Sequence, residues 1–187
     1  DELTDARLYF AGRSLYDDML ADIQRAQRDI GLEMYIFDDD AVGRRVRDAL
    51  VARAADGCRV RVMYDGLGCI NTPGHFFESM RTRGVEVSAF NPIVRDRVLR
   101  HWRKLDRRNH RKLLVVDGRV AFTGSQNVTD STYNLKKNIR RGLHWVDMMT
   151  RVDGPVVASI NAVFLSDWYS ETDEIVDDIE LFDVRPG

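Results

Sequence analysis

Only two cysteines, Cys58 and Cys69, occur in the 187 residues. That is too few for a disulfide framework or a thiolate zinc site. Histidine is also scarce, with four residues and no carboxylate or thiol partners at ligand spacing, so no metal site is expected. No apolar run reaches bilayer length before a charge interrupts it, which excludes a transmembrane helix. Internal repeats and low-complexity segments are absent. No cleavable signal pattern opens the chain, and it starts on Asp1 rather than Met, so a piece excised from a longer protein is expected. What is present is an apolar fraction of 44%, enough for one domain with a sizeable core.

The 28 basic and 30 acidic side chains give a net charge of −2 that hides an asymmetry. Residues 171–187 carry seven acids (Glu171, Asp173, Glu174, Asp177, Asp178, Glu180, Asp183) against Arg185 alone. The preceding 170 residues hold 27 bases and 23 acids, a net of +4. Among them, Arg95 to Lys112 includes nine bases against Asp96 and Asp106. A solvated loop would account for such a run by itself. Its position, leading into the most informative segment, points instead to a phosphate or an anionic surface.

Hydrophobic spacing predicts an α/β layer in the first half. Leu15, Met19, Ile23, Ala26 and Ile30 recur at helical spacing over 14–30, with Ser14 as N-cap. Residues 30–37 read as a strand. Residues 40–56 place Val42, Val46, Ala49, Leu50 and Ala54 on one helical face before Gly57. A strand over 58–65, a short helix over 74–84 and a strand over 85–90 follow. The alternation implies a mixed, mostly parallel sheet with helices on both faces. Later, 112–124 reads as a hairpin around Asp117-Gly118, and 143–152 as a strand. Pro155 then opens a helix with Val156, Ile160, Val163, Phe164 and Trp168 facing inward. The expected organisation is one catalytic domain over 1–170 and an acidic tail or linker over 171–187. Cys58, Trp145 and Trp168 are expected in the core, while Trp102 is divided between packing and a membrane interface. His75, His101 and His144 are read as non-catalytic.

The segment Asn109-His110-Arg111-Lys112-Leu113-Leu114-Val115-Val116-Asp117 carries the chemistry. In a strand, His110 and Lys112 project from the same face. An imidazole and an ammonium so placed suit a phosphoryl group, one as nucleophile and one as fixed positive charge. Asp117 has the opposite parity and lies at the turn, so it is expected to shape the site. If Asp117-Gly118 is a two-residue loop, Val116 faces Arg119, Lys112 faces Thr123 and His110 faces Ser125; a bulge would shift this by one residue. Gly124 then permits close approach, and Ser125 and Asn127 offer hydrogen bonds to phosphoryl oxygens. Glu33 and Tyr35 lie on a strand ending near the site, where core or sheet-face roles fit equally well.

The spacing His110-x-Lys112-x4-Asp117-x6-Gly124-Ser125-x-Asn127 resembles the signature of the phospholipase D superfamily. Residues 34–43, 108–124 and 152–172 extend the likeness to the amino-terminal half of bacterial cardiolipin synthases, from about residue 8 to 172. Ser125 stands where that family commonly has a second glycine, and Val146 where it has an arginine before Asp147.

This resemblance implies a phospholipase D-like half-domain in which two such motifs meet, one from each half of the enzyme or from each of two subunits. It implies no metal or cofactor and a phosphohistidine intermediate. His110 would be the nucleophile or its acid/base counterpart, within a motif that Asp117 closes. Lys112, Ser125 and Asn127 would stabilise charge on the phosphoryl oxygens. Asp147 would hold the histidine's other nitrogen, although a structural aspartate at a strand end is a competing reading. The implied activity is transfer of a phosphatidyl group between phosphatidylglycerol molecules. Its partners would be this anionic glycerophospholipid and a membrane surface, at the cytoplasmic membrane of a bacterium through parts of the protein outside this chain. A one-motif phosphodiesterase or nuclease, completed by a homodimer partner and acting on nucleic acid, is the alternative. A catalytically idle polyanion-binding module is a third reading, disfavoured by the intact motif.

Overall fold

The computed structural model of the chain describes residues 5–10, 12–92, 108–130, 140–142 and 147–176. In chain order its elements are β1 (Ala6–Tyr9), α1 (Gly12–Arg25), β2 (Asp29–Met34), α2 (Ala41–Ala55), β3 (Arg59–Asp65), α3 (Gly74–Arg81), β4 (Glu86–Phe90), β5 (Lys112–Val116), β6 (Val120–Gly124), β7 (Met149–Asp153) and α4 (Val156–Thr172). The strands form one sheet in the order β1-β7-β6-β5-β2-β3-β4.

The run from β2 through α2, β3 and α3 to β4 is the expected parallel unit. From β5 onwards the pairing changes. β5 is antiparallel to β2, and β5–β6, β6–β7 and β7–β1 are antiparallel as well. The sheet is mixed, but antiparallel pairs outnumber parallel ones, which corrects the expectation of a mostly parallel sheet. Helical crossovers keep successive strands parallel, whereas the tight turn at Asp117-Gly118 reverses the chain.

Helices cover both faces. Leu114 and Val116 of β5 join Leu15, Met19, Leu50 and Phe76 in one core cluster. On the opposite face, Leu113 packs with Phe164 and Trp168, and Val115 with Val157. Each such side chain contributes about 1.5–3 kcal/mol through burial. At α2, Asp40 caps the helix by accepting the Gly43 N–H at 2.8 Å.

Several boundaries differ from the sequence reading. α1 stops at Arg25, and Ile30 lies buried in β2 rather than on a helix. The reason is long-range: the backbone N–H groups of Gln27, Arg28 and Asp29 all donate to the Asp117 carboxylate. Ser14 sits inside the first turn of α1 and is not its N-cap. On α4 the buried stripe is Val157, Asn161, Phe164 and Trp168, whereas Val156 and Val163 are exposed. A polar residue in the stripe had shifted the apparent apolar face. Cys58 is buried, as expected, with its thiol directed to the Ala26 carbonyl. The acidic stretch begins within α4, and Glu174 just beyond it accepts the Trp168 indole N–H at 2.8 Å and pairs with Arg59. Trp102, Trp145, His101, His144 and the basic residues between 93 and 107 lie outside the described residues.

Candidate active site

The strand registers gather several strand ends at one edge of the sheet. Lys112, at the start of β5, pairs with Met34 at the end of β2. Gly124, at the end of β6, pairs with Met149 at the start of β7. Asp65 closes β3 beside Phe90 of β4. Tyr35, Asp65 and the segments 109–111, 125–127 and 147–148 therefore belong to this edge, at the carboxyl ends of the parallel strands. Open α/β sheets bind ligands at such an edge.

His110 is exposed and precedes β5 rather than lying within it. Its ring rests against Tyr35, with centroids 4.4 Å apart and planes at 57°. Lys112 is buried; its Nζ donates to the His110 carbonyl at 2.6 Å and lies 5.1 Å from the centroid of the Tyr35 ring. The expected pair does meet, around Tyr35, although His110 itself lies just before the strand. Burial lowers the His110 pKa, the Lys112 charge adds to that, and Asp65 opposes it. The imidazole is thus kept neutral, the form a nucleophile needs. Burial also pushes the Lys112 ammonium down to about 8, against the pull of Asp147 and Asp65.

Ser125 and Asp147 are joined directly. The Ser125 hydroxyl donates to Asp147 Oδ1 at 2.8 Å and accepts the Met148 N–H at 3.0 Å. Asp147 makes no hydrogen bond to His110 among the described residues. Gly124 makes this meeting possible, because a Cβ there would lie 2.2 Å from the Met148 carbonyl oxygen. Asn127 accepts the Ile36 N–H on its Oδ1 at 3.0 Å, and its carbonyl accepts the Tyr16 hydroxyl at 2.6 Å. Burial pushes the Tyr16 phenol up to about 12, so it stays a donor.

Asp117 stands at the far end of β5, on the order of 15 Å along the strand from Lys112. Its carboxylate accepts the N–H groups of Gln27, Arg28 and Asp29 at 3.0, 2.8 and 3.0 Å. Asp117 and Gly118 both adopt positive φ, 53° and 65°, and the Arg119 N–H closes the turn on the Val116 carbonyl at 3.0 Å. Arg119 is nevertheless an extra residue in the ladder, since Val116 pairs with Val120 and Leu113 with Thr123. The hairpin register is therefore one residue away from the two-residue-loop pairing, and Ser125 does not face His110 across it.

Asp65 escaped the sequence reading. It is buried and accepts the N–H groups of Leu67 and Gly68 on one oxygen and of Asn109 on the other. An acid closing an alternating strand just before Gly66 was the available signal. Among the described residues no group of three or more His, Cys, Asp or Glu could hold a metal, and no helix is long and apolar enough to cross a membrane.

Comparison with known proteins gives the family. The family described as "Cardiolipin synthase, PLD-like domain" matches residues 19–168. Cardiolipin synthase 1 of Bacillus anthracis is 35% identical over 165 residues, covering 88% of this chain and 31% of that protein. The major cardiolipin synthase of Bacillus subtilis is 38% identical over 158 residues, 84% of this chain and 31% of its own length. The chain thus spans about a third of these relatives. Among solved structures, NucT from Helicobacter pylori superposes with a TM-score of 0.64 at 13% identity, covering 90% of this chain and 98% of that one. The phospholipase D family member Nuc from Salmonella typhimurium gives a TM-score of 0.60 at 18% identity, covering 91% and 97%. At those identities the two structures speak for the fold alone.

Proposed function

The chain belongs to the cardiolipin synthase, PLD-like domain family, and from that premise we propose that it is one catalytic half of a bacterial phosphatidyltransferase that makes cardiolipin from phosphatidylglycerol. The carrying observation is the His110 imidazole and the buried Lys112 side chain meeting around Tyr35 at the end of the sheet where Ser125, Asn127 and Asp147 also converge. Residues 1–170 would be the half-domain, and 171–187 would lead towards a second half carrying the partner histidine.

In this reading His110, or its counterpart, attacks the phosphorus of phosphatidylglycerol. A nitrogen–phosphorus bond forms as the bond to glycerol breaks, and the partner imidazole protonates the departing glycerol oxygen. A hydroxyl of a second phosphatidylglycerol then loses its proton to that partner and attacks the phosphorus. The histidine leaves and cardiolipin is released. Lys112, Ser125 and Asn127 supply the positive charge and donors for the equatorial oxygens, the contribution that dominates in phosphoryl transfer. Asp147 acts through Ser125. Asp117 holds the hairpin. The basic run from Arg95 would draw the site to an anionic membrane surface, each base contributing about 1 kcal/mol.

A second reading has one observation in its favour: nearly the whole Nuc chain is matched by this one, so a unit of this size can stand as a fold. Two copies could then pair their motifs in a phosphodiesterase acting on nucleic acid. One experiment separates the readings. Full-length protein supplied with labelled phosphatidylglycerol should release cardiolipin and glycerol in equal amounts, and denaturation at alkaline pH should trap the label as a phosphatidyl group on histidine that acid then releases. His110→Ala should abolish turnover with the melting temperature nearly unchanged. Cleavage of DNA without cardiolipin formation would establish the second reading, and full turnover by His110→Ala would end both.

A further inference from the structure

On the sheet face opposite Lys112, two carboxyl groups close on the residues that bracket His110. Glu33 of β2 and Asn109 are both buried, with 2% and 5% exposure. The Asn109 amide donates to Glu33 and, at 3.2 Å, to Asp167 of α4. Its Oδ1 accepts the Arg111 N–H at 3.0 Å, and its own backbone N–H donates to Asp65 at 3.2 Å. The Arg111 guanidinium pairs with Asp167. Among the described residues, His110, between them, has the Tyr35 ring against its imidazole and no hydrogen-bond partner on either ring nitrogen. Besides the Tyr35 ring and the Lys112 bond to its own carbonyl, what sets the imidazole is the grip on its two neighbours.

We propose that Glu33 and Asp167 are positioning residues for His110: a buried carboxyl pair that holds Asn109 and Arg111 and so sets the imidazole at the reacting phosphorus. The proposal rests on His110 being a reacting group.

Within the pair, Glu33 is the member whose surroundings disfavour the anion. Glu33 Oε2 is buried without a hydrogen-bond partner, a poor setting for an anion. The residues opposite Glu33 in the sheet, Met63 of β3 and Leu113 of β5, are apolar. The charged groups reaching it are Asp167 from α4 and Arg111 from the segment before β5. Burial, then the Asp167 charge, push the Glu33 carboxyl up to about 8, with Arg111 opposing. Near neutral pH Glu33 is the protonated member, while Asp167 holds Arg111. Glutamine is consequently the close mimic of Glu33, and alanine its removal.

The test uses the full-length enzyme. Glu33→Ala and Asp167→Asn should each lower kcat about 10–100-fold with KM within threefold of wild type, the size expected when a reacting group is slightly misplaced. Glu33→Gln should restore most of the turnover lost in Glu33→Ala. Independently of turnover, the rate at which diethyl pyrocarbonate modifies His110, followed by mass spectrometry with His75 as internal control, should change severalfold in Glu33→Ala and Asp167→Asn and little in Glu33→Gln. If Glu33→Ala does not fold, Glu33→Gln against Asp167→Asn carries the comparison. Wild-type kcat and His110 reactivity in Glu33→Ala or Asp167→Asn, whatever the melting temperature, would overturn the proposal, as would a Glu33→Gln enzyme as impaired as the alanine variant. Absence of cardiolipin formation by the wild type alongside the expected His110 reactivities would overturn the functional reading and leave the positioning role standing.

Discussion

Lys112 sits where its charge is costly and useful at once. Burial favours the neutral amine, and Asp147 and Asp65 favour the ammonium, with about 8 as the balance. A lysine with a lowered pKa is charged below that value and loses its charge as pH rises through it. kcat/KM, which reports the free enzyme, should therefore fall above about pH 8. Bound phosphate favours the ammonium, so the corresponding fall in kcat should lie at higher pH. Because Glu33 titrates in the same region, the profile should be recorded in Glu33→Gln, where the limb near 8 belongs to Lys112 and a limb at lower pH to the partner imidazole that must start protonated. Lys112→Ala should lower turnover roughly 10²–10³-fold, by comparison with the loss of an oxyanion donor. A pH profile with no limb near 8 in Glu33→Gln would show that Lys112 keeps its charge and that its burial has no catalytic consequence. Asp117 predicts the opposite kind of effect. Asn tolerates the positive φ of the turn but lacks the charge that three N–H groups share, so Asp117→Asn should lose about 1–3 kcal/mol of stability. The expected signature is a melting temperature lowered about 2–4 °C per kcal/mol, with turnover retained well below the transition. An unchanged melting temperature with abolished turnover would move Asp117 into the chemistry.

At the scale of elements, the packing of α4 on β2 has little room to give. A Cβ on Gly31 would lie 2.5 Å from the ring of Phe164, which is itself fully buried. Gly31→Ala should cost about 1–3 kcal/mol through overpacking, and Phe164→Leu should recover part of it in the double variant. Additive losses, measured by denaturant unfolding, would show that the two do not touch. Elements defined by local periodicity were legible in the sequence: α2, β3, α3, β4 and the two strands of the hairpin. The features that escaped it were decided by distant partners. Ile30 suits a helical stripe and a strand equally, and only the capture of three backbone N–H groups by Asp117 ends α1 early. Arg119 enters the ladder as an extra residue, which no composition rule for an Asp-Gly turn would reveal. Asn161 interrupts an otherwise apolar stripe on α4. The site follows the same division. His110 and Lys112 stood out as a spaced pair, whereas Tyr35 between them, Asp65 beside them and the Glu33–Asp167 pair behind them depend on which strands become neighbours.

For the whole molecule, the sheet gathers the proposed functional groups at one edge and, among the described residues, places one imidazole there. The other described histidine, His75, lies by Asp39 at the start of α2, with 3.6 Å between Nε2 and the carboxylate. Two successive displacements at phosphorus need a base to protonate the first leaving oxygen and to deprotonate the second attacking one. On the proposed mechanism His110 cannot do this while bonded to phosphorus, and Lys112, near 8 and hydrogen-bonded to the His110 carbonyl, is assigned to charge stabilisation. Among the described residues no further imidazole reaches this end, and the proposed two-motif reading assigns the second one to the rest of a relative-sized protein or to a second copy of this chain. Sedimentation and transfer measured together over a range of concentrations distinguish these. A strictly monomeric chain should form cardiolipin at no more than a small fraction of the full-length rate, and adding the second half in trans should restore transfer. If two copies complete the site instead, specific activity should rise with the dimer fraction, and mixing with a His110→Ala copy should lower it. Full-rate transfer by the monomer would show that one imidazole suffices and would undo the two-motif reading.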